Sequence, residues 1–580
     1  MIQAEKLSFG FSDKELYRNI SFSLEEGKHC ALIGSNGTGK TTLADLIRRP
    51  EKYLFDGTLI RENVGRIGYV SQFASREKGQ DITVFEYLSG DFQKLQEETE
   101  TVCAKMGEAE DLDALLEEYQ RLLDEAESMD ADNYEVNIRR QLHLAELDGK
   151  AELELSNLSG GEYKLVQVIR QMLRRPGLLI MDEPDVFLDF ENLSGLRDLI
   201  NAYEGTLLVV THSRYLLAHC FDRIWHLENS DLQECEGSFA EYQYALLRKK
   251  VEMKIAAAKG EEEIQRATAM VERLRKEATE VIDPLRGRTL KQKVSYLERV
   301  KAWKVKEPFV EIRKPEITLP EVEETSEPEV LLQVTDYNLA FEEKLLEHVD
   351  FNLRAHEKVA LVGPNGTGKT TLLRELWKRE NPAVWFAQTA DVGFFSQLQE
   401  ETLNEKNSIY QEFYDLGFET PTEVETHLQR YCFNPETLDR RIGQLSGGEK
   451  NLLQLAKLAA GNANLLLLDE PSSHLDTYSQ IALEEAIAGY KGAVLMVSHD
   501  FYSIANCADR ILYVDNGTIR PMSARAFRKM IYKNHFSLEY LELEKQKKEL
   551  ETKIARCLQE GDCEEARALC DQLGAVVESM

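Results

Sequence analysis

The stretch Gly34-Ser-Asn-Gly-Thr-Gly-Lys-Thr-Thr42 decides the fold of this chain, and Gly363-Pro-Asn-Gly-Thr-Gly-Lys-Thr-Thr371 nearly repeats it. Each copy follows an apolar run and precedes a helical pattern, which is the strand–loop–helix context of the phosphate-loop motif. The glycines let backbone N–H groups close on phosphate oxygens. The predicted phosphate-binding residues are Gly34, Ser35, Asn36, Gly37, Thr38, Gly39, Lys40, Thr41 and Thr42, and then Gly363, Pro364, Asn365, Gly366, Thr367, Gly368, Lys369, Thr370 and Thr371.

Further landmarks repeat at equal spacing in the two halves. The sequence LSGGE occupies residues 158–162 and 445–449. An apolar strand then ends in an acidic pair whose glutamate lies 24 residues after the LSGGE serine, and a histidine follows 29 residues after that glutamate, in both halves. Continuous apolar strands are typical of a buried parallel sheet, so the pattern predicts an α/β fold in each half. The repeated polar residues are Asp182, Glu183 and His212, and then Asp469, Glu470 and His499.

Length and composition favour two large domains and no membrane part. A chain of 580 residues is too long for one core, since single cores stop growing at about 250–300 residues. No run approaches the roughly 20 apolar residues that cross a bilayer, and the N-terminus lacks a signal pattern. The net charge of −32 disfavours diffuse binding to nucleic acid or to an anionic membrane. We therefore expect a cytoplasmic protein, with its nine scattered cysteines reduced.

These motifs resemble those of the ATP-binding cassette superfamily, over nearly all of residues 1–530. The resemblance implies ATP and Mg²⁺ as ligands, with the glutamates polarising the attacking water and the histidines sensing the γ-phosphate. It implies Mg²⁺ ligation by the motif threonines, the aspartates and a glutamine in each half. The implied Mg²⁺ ligands are Thr41, Gln72, Asp182, Thr370, Gln397 and Asp469. Phe11 and Phe341 fit the aromatic position that stacks on adenine, although core packing explains a phenylalanine there almost as well.

Cassettes of this superfamily work as a head-to-tail pair, which places the LSGGE of one cassette over the ATP of the other. Its donors then face the γ-phosphate, where charge shifts during transfer. The signature residues are Ser159, Gly160, Gly161, Ser446, Gly447 and Gly448. Site one would combine Lys40, Glu183 and His212 with Ser446 and Gly448; site two would combine Lys369, Glu470 and His499 with Ser159 and Gly161.

The first half carries an additional helical stretch at about residues 84–148, with 19 acidic and 5 basic residues. One reading is a solvated helical pair that packs on its own cassette. The other reading, which we favour, is an outward arm that touches a partner. Its charge favours a basic protein over an RNA backbone as that partner.

The connection between the cassettes reads as a helical hairpin with a turn at 283–287, followed by a Pro- and Glu-rich linker. Residues 247–310 hold 17 basic and 10 acidic residues, against the sign of the whole molecule. We therefore expect RNA contact near the tip. The four predicted RNA-contacting residues, named here the hairpin quartet, are Arg286, Arg288, Lys291 and Lys293.

Tandem cassettes, an arm in the first and a basic hairpin between them together resemble the ABC-F translation factors. The resemblance implies a monomer that binds the ribosome near the E site with ATP bound and is released on hydrolysis. It implies contact with rRNA, tRNA or ribosomal protein. Some such proteins displace ribosome-targeting antibiotics and others gate early elongation. The alternative is a soluble twin-cassette ATPase subunit of a membrane transporter, for which a basic hairpin has no evident role.

The two halves are not identical. After the acidic pair the second has Ser-Ser-His-Leu-Asp (472–476), close to the family's Thr-Asn-His-Leu-Asp, whereas the first has Asp-Val-Phe-Leu-Asp (185–189). Ser213 also follows the first histidine where Asp500 follows the second. We therefore expect unequal hydrolysis rates. The predicted divisions are a first cassette at 1–246, a linker at 247–328, a second cassette at 329–530 and a helical tail at 531–580, which packs on the second cassette or contacts the ribosome.

Overall fold

A computed structural model describes most of the chain, and the fold below refers to that part. The described residues are 1–11, 14–62, 64–72, 82–106, 112–186, 188–255, 268–269, 271, 294, 314–322, 329–340, 344–535 and 538–580. Two compact units result, one of Met1–Glu234 with Arg313–Ile531 and one of Cys235–Ile312 with Tyr532–Met580. The first unit holds most of both predicted cassettes, while the last residues of the predicted first cassette, from Cys235 to 246, belong to the second unit. None of the helices in the described ranges is long and apolar enough to span a bilayer.

The first half builds a six-stranded sheet and a three-stranded sheet. Its strands are β1 (Ile2–Phe11), β2 (Lys14–Leu24), β3 (His29–Ile33), β4 (Asp56–Arg61), β5 (Ile67–Val70), β6 (Leu178–Asp182), β7 (Leu207–Val210), β8 (Arg223–Glu228) and β9 (Asp231–Glu236). The larger sheet has the order β5-β6-β7-β3-β8-β9, and its pairs from β5 to β8 are parallel. The smaller sheet has the order β2-β1-β4 and is antiparallel.

The second half repeats this topology. Its strands are β10 (Val330–Ala340), β11 (Lys344–Arg354), β12 (Lys358–Val362), β13 (Val384–Phe386), β14 (Val392–Phe395), β15 (Leu465–Asp469), β16 (Ala493–Val497), β17 (Arg510–Asp515) and β18 (Thr518–Ser523). The larger sheet runs β14-β15-β16-β12-β17-β18 and is parallel except for the β17–β18 pair, while β11-β10-β13 is antiparallel. The α/β prediction is therefore confirmed in both halves.

Helices connect the strands of both large sheets. In the first half they are Lys40–Arg48, Val84–Met106, Asp113–Ser128, Tyr134–Leu144, Gly160–Leu173, Phe190–Ala202 and Arg214–His219; in the second they are Lys369–Lys378, Ile409–Tyr414, Pro421–Gln429, Gly447–Ala459, Thr477–Gly489, Phe501–Cys507 and Ala524–His535. Every residue of β6 and of β15 is buried. Parallel strands covered on both faces explain why these segments read as unbroken apolar runs.

The acidic insertion of the first half forms three helices, Val84–Met106, Asp113–Ser128 and Tyr134–Leu144. Asp91 fixes this insertion to the first cassette. Its carboxylate accepts hydrogen bonds from Arg170, which lies in helix Gly160–Leu173, and from Arg174, which directly follows that helix. Helix Asp113–Ser128 buries Leu122 but leaves Leu116 and Leu123 exposed. This segment, called the arm below, is therefore fixed to the first cassette through Asp91 and carries apolar side chains on its surface.

The second unit is helical where it is described. The helices Leu538–Glu560 and Cys563–Val577 form a hairpin. Side chains such as Ile554 and Leu573 form a buried cluster with Val251 of the helical run 239–255. The predicted tail is therefore a helical hairpin. It packs against the start of the interdomain segment, whereas the sequence suggests the second cassette or the ribosome as its partner.

Candidate functional site

The two phosphate loops adopt the same conformation at the end of β3 and of β12. The glycine before each motif lysine is left-handed, with φ of 100° at Gly39 and 88° at Gly368. Lys40 Nζ donates to the carbonyl oxygens of Gly34 and Ser35 at 3.0 and 2.9 Å, and Lys369 Nζ donates to the equivalent carbonyls. Each loop therefore forms a backbone cradle at the N-terminus of the following helix, where anions are favoured.

Each loop threonine lies against the aspartate that ends the neighbouring strand. Thr41 Oγ1 is 3.2 Å from Asp182 Oδ1, and Thr370 Oγ1 is 3.1 Å from Asp469 Oδ1. Burial, with the charge of Glu183, raises the pKa of Asp182 to about 6, and burial raises that of Asp469 to about 6. A hydroxyl and a carboxylate at this distance suit a small cation that prefers oxygen ligands.

The glutamates that follow these aspartates are strained in the same way but surrounded differently. Glu183 and Glu470 have φ of 45° and 51°, in a region that non-glycine residues rarely adopt and that is common at functional sites. Gln72 Nε2 donates to Glu183 Oε2 at 2.5 Å. The carboxylate of Glu470 instead accepts from the backbone N–H of His499 at 3.3 Å.

These surroundings shift the two glutamate pKa values in opposite directions. Burial alone would raise the pKa of Glu183, but a hydrogen bond from His474 and the charge of Lys40 bring it below its ordinary value. Burial and the charge of Asp469 raise the pKa of Glu470 to about 8. The two sites therefore differ electrostatically although their motifs match.

The two histidines at equal sequence offsets face the two glutamates. His499 Nε2 is 3.5 Å from Glu470 Oε1. Burial, followed by the charge of Lys40, lowers the pKa of His212 to about 4, and burial with Lys369 lowers that of His499 to about 3. Both imidazoles are therefore neutral at pH 7, so each holds one N–H donor and one acceptor.

The two LSGGE motifs begin helices through the same capping box. The side chains of Ser159 and Ser446 accept a hydrogen bond from the backbone N–H three residues later, which belongs to Glu162 or Glu449. The carboxylate of that glutamate in turn accepts a hydrogen bond from the serine N–H. The second motif lies against the first phosphate loop, because a Cβ at Gly448 would clash with the side chain of Asn36. Gly160, Gly161 and Gly447 occupy the first turns of the same two helices. The structure thus brings Lys40, Glu183 and His212 together beside the signature of the other cassette.

Two aspartates that were not predicted as site residues join the phosphate loops across the cassettes. Asp476 Oδ2 accepts from the backbone N–H of Asn36 at 2.9 Å, and Asp189 Oδ2 accepts from that of Asn365 at 3.0 Å. Each aspartate lies six residues after the glutamate of its own half, at 183 and at 470. This equal offset was the signal available in the sequence. The reciprocal contacts place the cassettes head to tail.

A histidine beside the first site also comes from the second cassette. His474 Nδ1 lies 3.9 Å from Glu183 Oε2, and the His474 carbonyl accepts from Asn36 Nδ2 at 2.8 Å. The residue at the equivalent position of the first half is Phe187, which lies outside the described residues. The sequence shows that Phe187 departs from the family pattern, which has a histidine at this position. The proximity of His474 to Glu183 becomes evident only in the structure.

The remaining predicted residues have different outcomes. Gln397 lies two residues after β14, as Gln72 lies two residues after β5. Phe11 ends β1, is 55% exposed and contacts Phe9 edge to face, so its ring is available for stacking. Phe341 and the hairpin quartet lie outside the described residues.

The chemistry of the site fits a nucleoside triphosphate with Mg²⁺. Among the buried side-chain atoms that have no hydrogen-bond partner in the described residues, four lie at the two sites; they are His212 Nε2, Asp469 Oδ2, Glu470 Oε1 and His499 Nδ1. Buried polar groups are normally paired, so orphaned ones at a cradle for anions indicate ligand-facing positions. The threonine–aspartate pairs supply oxygen ligands at the same place.

Comparisons with known proteins agree with this geometry. A family model described as ABC transporter matches residues 17–186 and 346–473. The uncharacterized ABC transporter ATP-binding protein YfmR of Bacillus subtilis (strain 168) is 30% identical over 90% of this chain and 82% of its own. The energy-dependent translational throttle protein EttA of Escherichia coli (strain K12) is 28% identical over 87% and 90%.

Two more matches extend the likeness to the whole architecture. ABC transporter F family member 5 of Arabidopsis thaliana is 26% identical, over 89% of this chain and 75% of its own. The solved structure of RNase-L Inhibitor superposes with a TM-score of 0.52 at 18% identity, over 91% of this chain and 93% of that one. At that identity the structural likeness concerns the fold alone.

Proposed function

Because the chain belongs to the ATP-binding cassette ATPases and is of their ABC-F type, we propose that it binds the ribosome in an ATP-bound, closed form, modulates translation and is released on hydrolysis. The observation that carries the proposal is a pair of reciprocal hydrogen bonds, which Asn36 N–H donates to Asp476 and Asn365 N–H donates to Asp189. They join the phosphate loop of each cassette to the other cassette within one chain, so ATP bound between the cassettes would act as the switch for ribosome binding. EttA, a translational throttle protein by name, is similar over nearly the whole chain, and this favours translation as the process.

The roles of the residues follow from their positions. The phosphate loops bind the triphosphate through backbone N–H groups, with Lys40 and Lys369 at the outer phosphates. The threonine–aspartate pairs and the two glutamines would hold Mg²⁺, which would supply charge that offsets the phosphates. Glu183 and Glu470 orient and deprotonate the attacking water, while the neutral imidazoles of His212 and His499 donate to the γ-phosphate.

We assign the signature residues and the aromatic positions by the same reasoning. Ser446 and Gly448 complete site one, and Ser159 and Gly161 complete site two, through backbone and hydroxyl donors. Phe11 and Phe341 stack on adenine. The chain acts as a cytoplasmic monomer, because each cassette finds its pairing partner within the same chain. Its divisions are the first cassette at 1–246, the linker at 247–328, the second cassette at 329–530 and the tail at 531–580.

Two surfaces are proposed to contact the ribosome. The hairpin quartet contacts rRNA or tRNA, which its charge favours. The arm contacts a basic ribosomal protein, since its sequence carries 19 acidic residues and its surface exposes apolar side chains, including Leu116 and Leu123. Protection of ribosomes from an antibiotic is a further part of the proposal, supported by the resemblance to ABC-F proteins alone.

Co-sedimentation of wild-type protein tests the proposal against the transporter-subunit alternative. The protein is mixed with purified ribosomes or with membrane vesicles, in a non-hydrolysable ATP analogue or in ADP. We expect it to pellet with ribosomes in the analogue and to remain in solution in ADP. The double variant Lys40→Ala with Lys369→Ala is the control, and it should pellet in neither nucleotide. Pelleting with vesicles and not with ribosomes would instead identify the transporter subunit.

A further inference from the structure

A buried ion cluster joins the two cassettes at a distance from the phosphate loops. Arg214, the first residue of helix Arg214–His219, has a side chain that is 11% exposed. Its guanidinium pairs with Glu484 and, at 2.9 Å, with Asp500 Oδ2, and it lies 4.6 Å from the centre of the Tyr502 ring. All three partners belong to the second cassette. One arginine of the first cassette is therefore surrounded by groups of the other.

The carboxylates of this cluster are fixed by their own cassette. Glu484 also accepts from Asn506 Nδ2 at 2.6 Å and from Ser503 Oγ at 3.3 Å. Asp500 accepts from the backbone N–H of Tyr502 at 3.0 Å and so caps helix Phe501–Cys507. Because the second cassette holds both carboxylates in place, the guanidinium meets a prearranged site.

The cluster is adjacent in the chain to both γ-phosphate histidines. Arg214 lies two residues after His212, and Ser213 between them caps the helix that Arg214 begins. Asp500 directly follows His499. A shift of the guanidinium relative to Asp500 therefore displaces the two histidine segments relative to each other.

The cluster can form only once, because the two halves carry different residues at the equivalent positions. Counting from the two histidines, Arg214 corresponds to Phe501 and Asp500 to Ser213. Counting from Asp189 and Asp476, Glu484 corresponds to Arg197. Arg197 pairs within its own cassette, with Asp198 and with the Tyr215 hydroxyl. The two-fold arrangement of the sites is thus also broken at this ion cluster.

We propose that Arg214 is a positioning residue that couples the two ATP sites, by holding the histidine segments of both cassettes in one register when the cassettes pair. It touches neither nucleotide site itself and acts through His212 on one side and through Asp500 and His499 on the other. Removing this buried cation leaves the buried carboxylate of Glu484 and the partly exposed carboxylate of Asp500 without their counter-charge, which disfavours the paired arrangement. Placement of both histidines then suffers together.

The test uses Arg214→Gln in backgrounds that leave one catalytic glutamate. Glu470→Gln leaves site one to hydrolyse and Glu183→Gln leaves site two. We expect Arg214→Gln to lower kcat in both backgrounds by about tenfold or more, since misplacing a catalytic group by about 1 Å costs roughly 100-fold. The KM for ATP should change by less than about threefold, because each phosphate loop binds within its own cassette. A fall confined to one background, or no fall in either, would overturn the proposal.

Two further variants separate coupling from folding. Arg197→Gln removes an arginine of similar burial whose bonds stay in one cassette, and its turnover should remain within about twofold of the wild type. The double variant Arg214→Gln with Glu484→Gln removes the arginine charge together with that of its buried partner. The midpoint of thermal unfolding should therefore recover, while kcat stays low. Recovery of kcat together with the midpoint would mean that Arg214 acts only through stability. Adding Asp500→Asn to Arg214→Gln should cause little further loss, because both changes break one interaction.

Discussion

Replacing Asp476 by alanine should weaken cassette pairing more than it weakens folding. The carboxylate has two separate roles, since Oδ2 accepts from Asn36 N–H of the other cassette at 2.9 Å while Oδ1 accepts from Ser479 N–H at 2.8 Å. The second bond caps helix Thr477–Gly489. Losing such a cap lowers the free energy of unfolding by about 1 kcal/mol. Losing a charge-assisted bond costs about 1.5–3 kcal/mol, and this cost falls only on the paired cassettes.

The consequence for catalysis follows from the second figure. A loss of about 1.5–3 kcal/mol corresponds to roughly a 10- to 150-fold shift of the pairing equilibrium. Turnover at limiting ATP should therefore fall by at least about tenfold. Asp476→Asn should be milder, because asparagine still caps a helix and keeps an acceptor oxygen but loses the charge.

A control variant separates the two roles. Thr420 caps helix Pro421–Gln429 by accepting from Glu423 N–H at 3.3 Å. Thr420→Ala should lower stability by about 1 kcal/mol and leave turnover unchanged. Denaturant unfolding and steady-state ATP hydrolysis are measured for all variants. If Asp476→Ala loses stability like Thr420→Ala but keeps full turnover, the contact with Asn36 has no part in the active arrangement.

Three further predictions concern the unequal sites, the hairpin and the arm. Single Glu183→Gln and Glu470→Gln variants should lower turnover by different factors. The Glu183→Gln protein should also speed up from pH 7 to 9, because the pKa of Glu470 is raised to about 8 by burial and Asp469 and only its carboxylate form accepts a proton; equal factors and flat pH profiles would contradict this. Alanine at all four residues of the hairpin quartet should flatten the salt dependence of ribosome binding, reducing the slope by about 3, while ATP turnover without ribosomes is unchanged; an unchanged slope would make the hairpin a spacer. Asp91→Asn should lower the free energy of unfolding by about 2–3 kcal/mol because Arg170 and Arg174 lose a shared carboxylate, and an unchanged denaturation midpoint would show that this contact does not stabilise the arm.

The sequence predicted the features that are local to each half. Two phosphate loops, two acidic pairs and two histidines at equal offsets were sufficient to predict the α/β fold, because the phosphate-loop motif requires a strand before it and a helix after it. The arm followed from its helical periodicity between two motifs.

The contacts between the halves were harder to predict because they depend on how two finished domains meet. Arg214 and Glu484 are 270 residues apart, and no spacing rule connects them. In the sequence, His474 is recognisable only as part of a family motif. The distance of 3.9 Å between its Nδ1 and Glu183 Oε2 results from the pairing of the cassettes. The tail likewise has an apolar stripe that indicates packing, while its partner, the run 239–255, is fixed by the fold.

The most direct test of ATP-switched ribosome binding uses the double variant Glu183→Gln with Glu470→Gln. Losing both water-orienting carboxylates should abolish turnover and leave the phosphate loops and Mg²⁺ ligands intact. Retention of the variant and of the wild type on purified ribosomes is followed over time after ATP is added. We expect the variant to remain bound to the ribosomes while the wild type is released as ATP is consumed. Equal release of both proteins, or full ATP turnover by the variant, would contradict it.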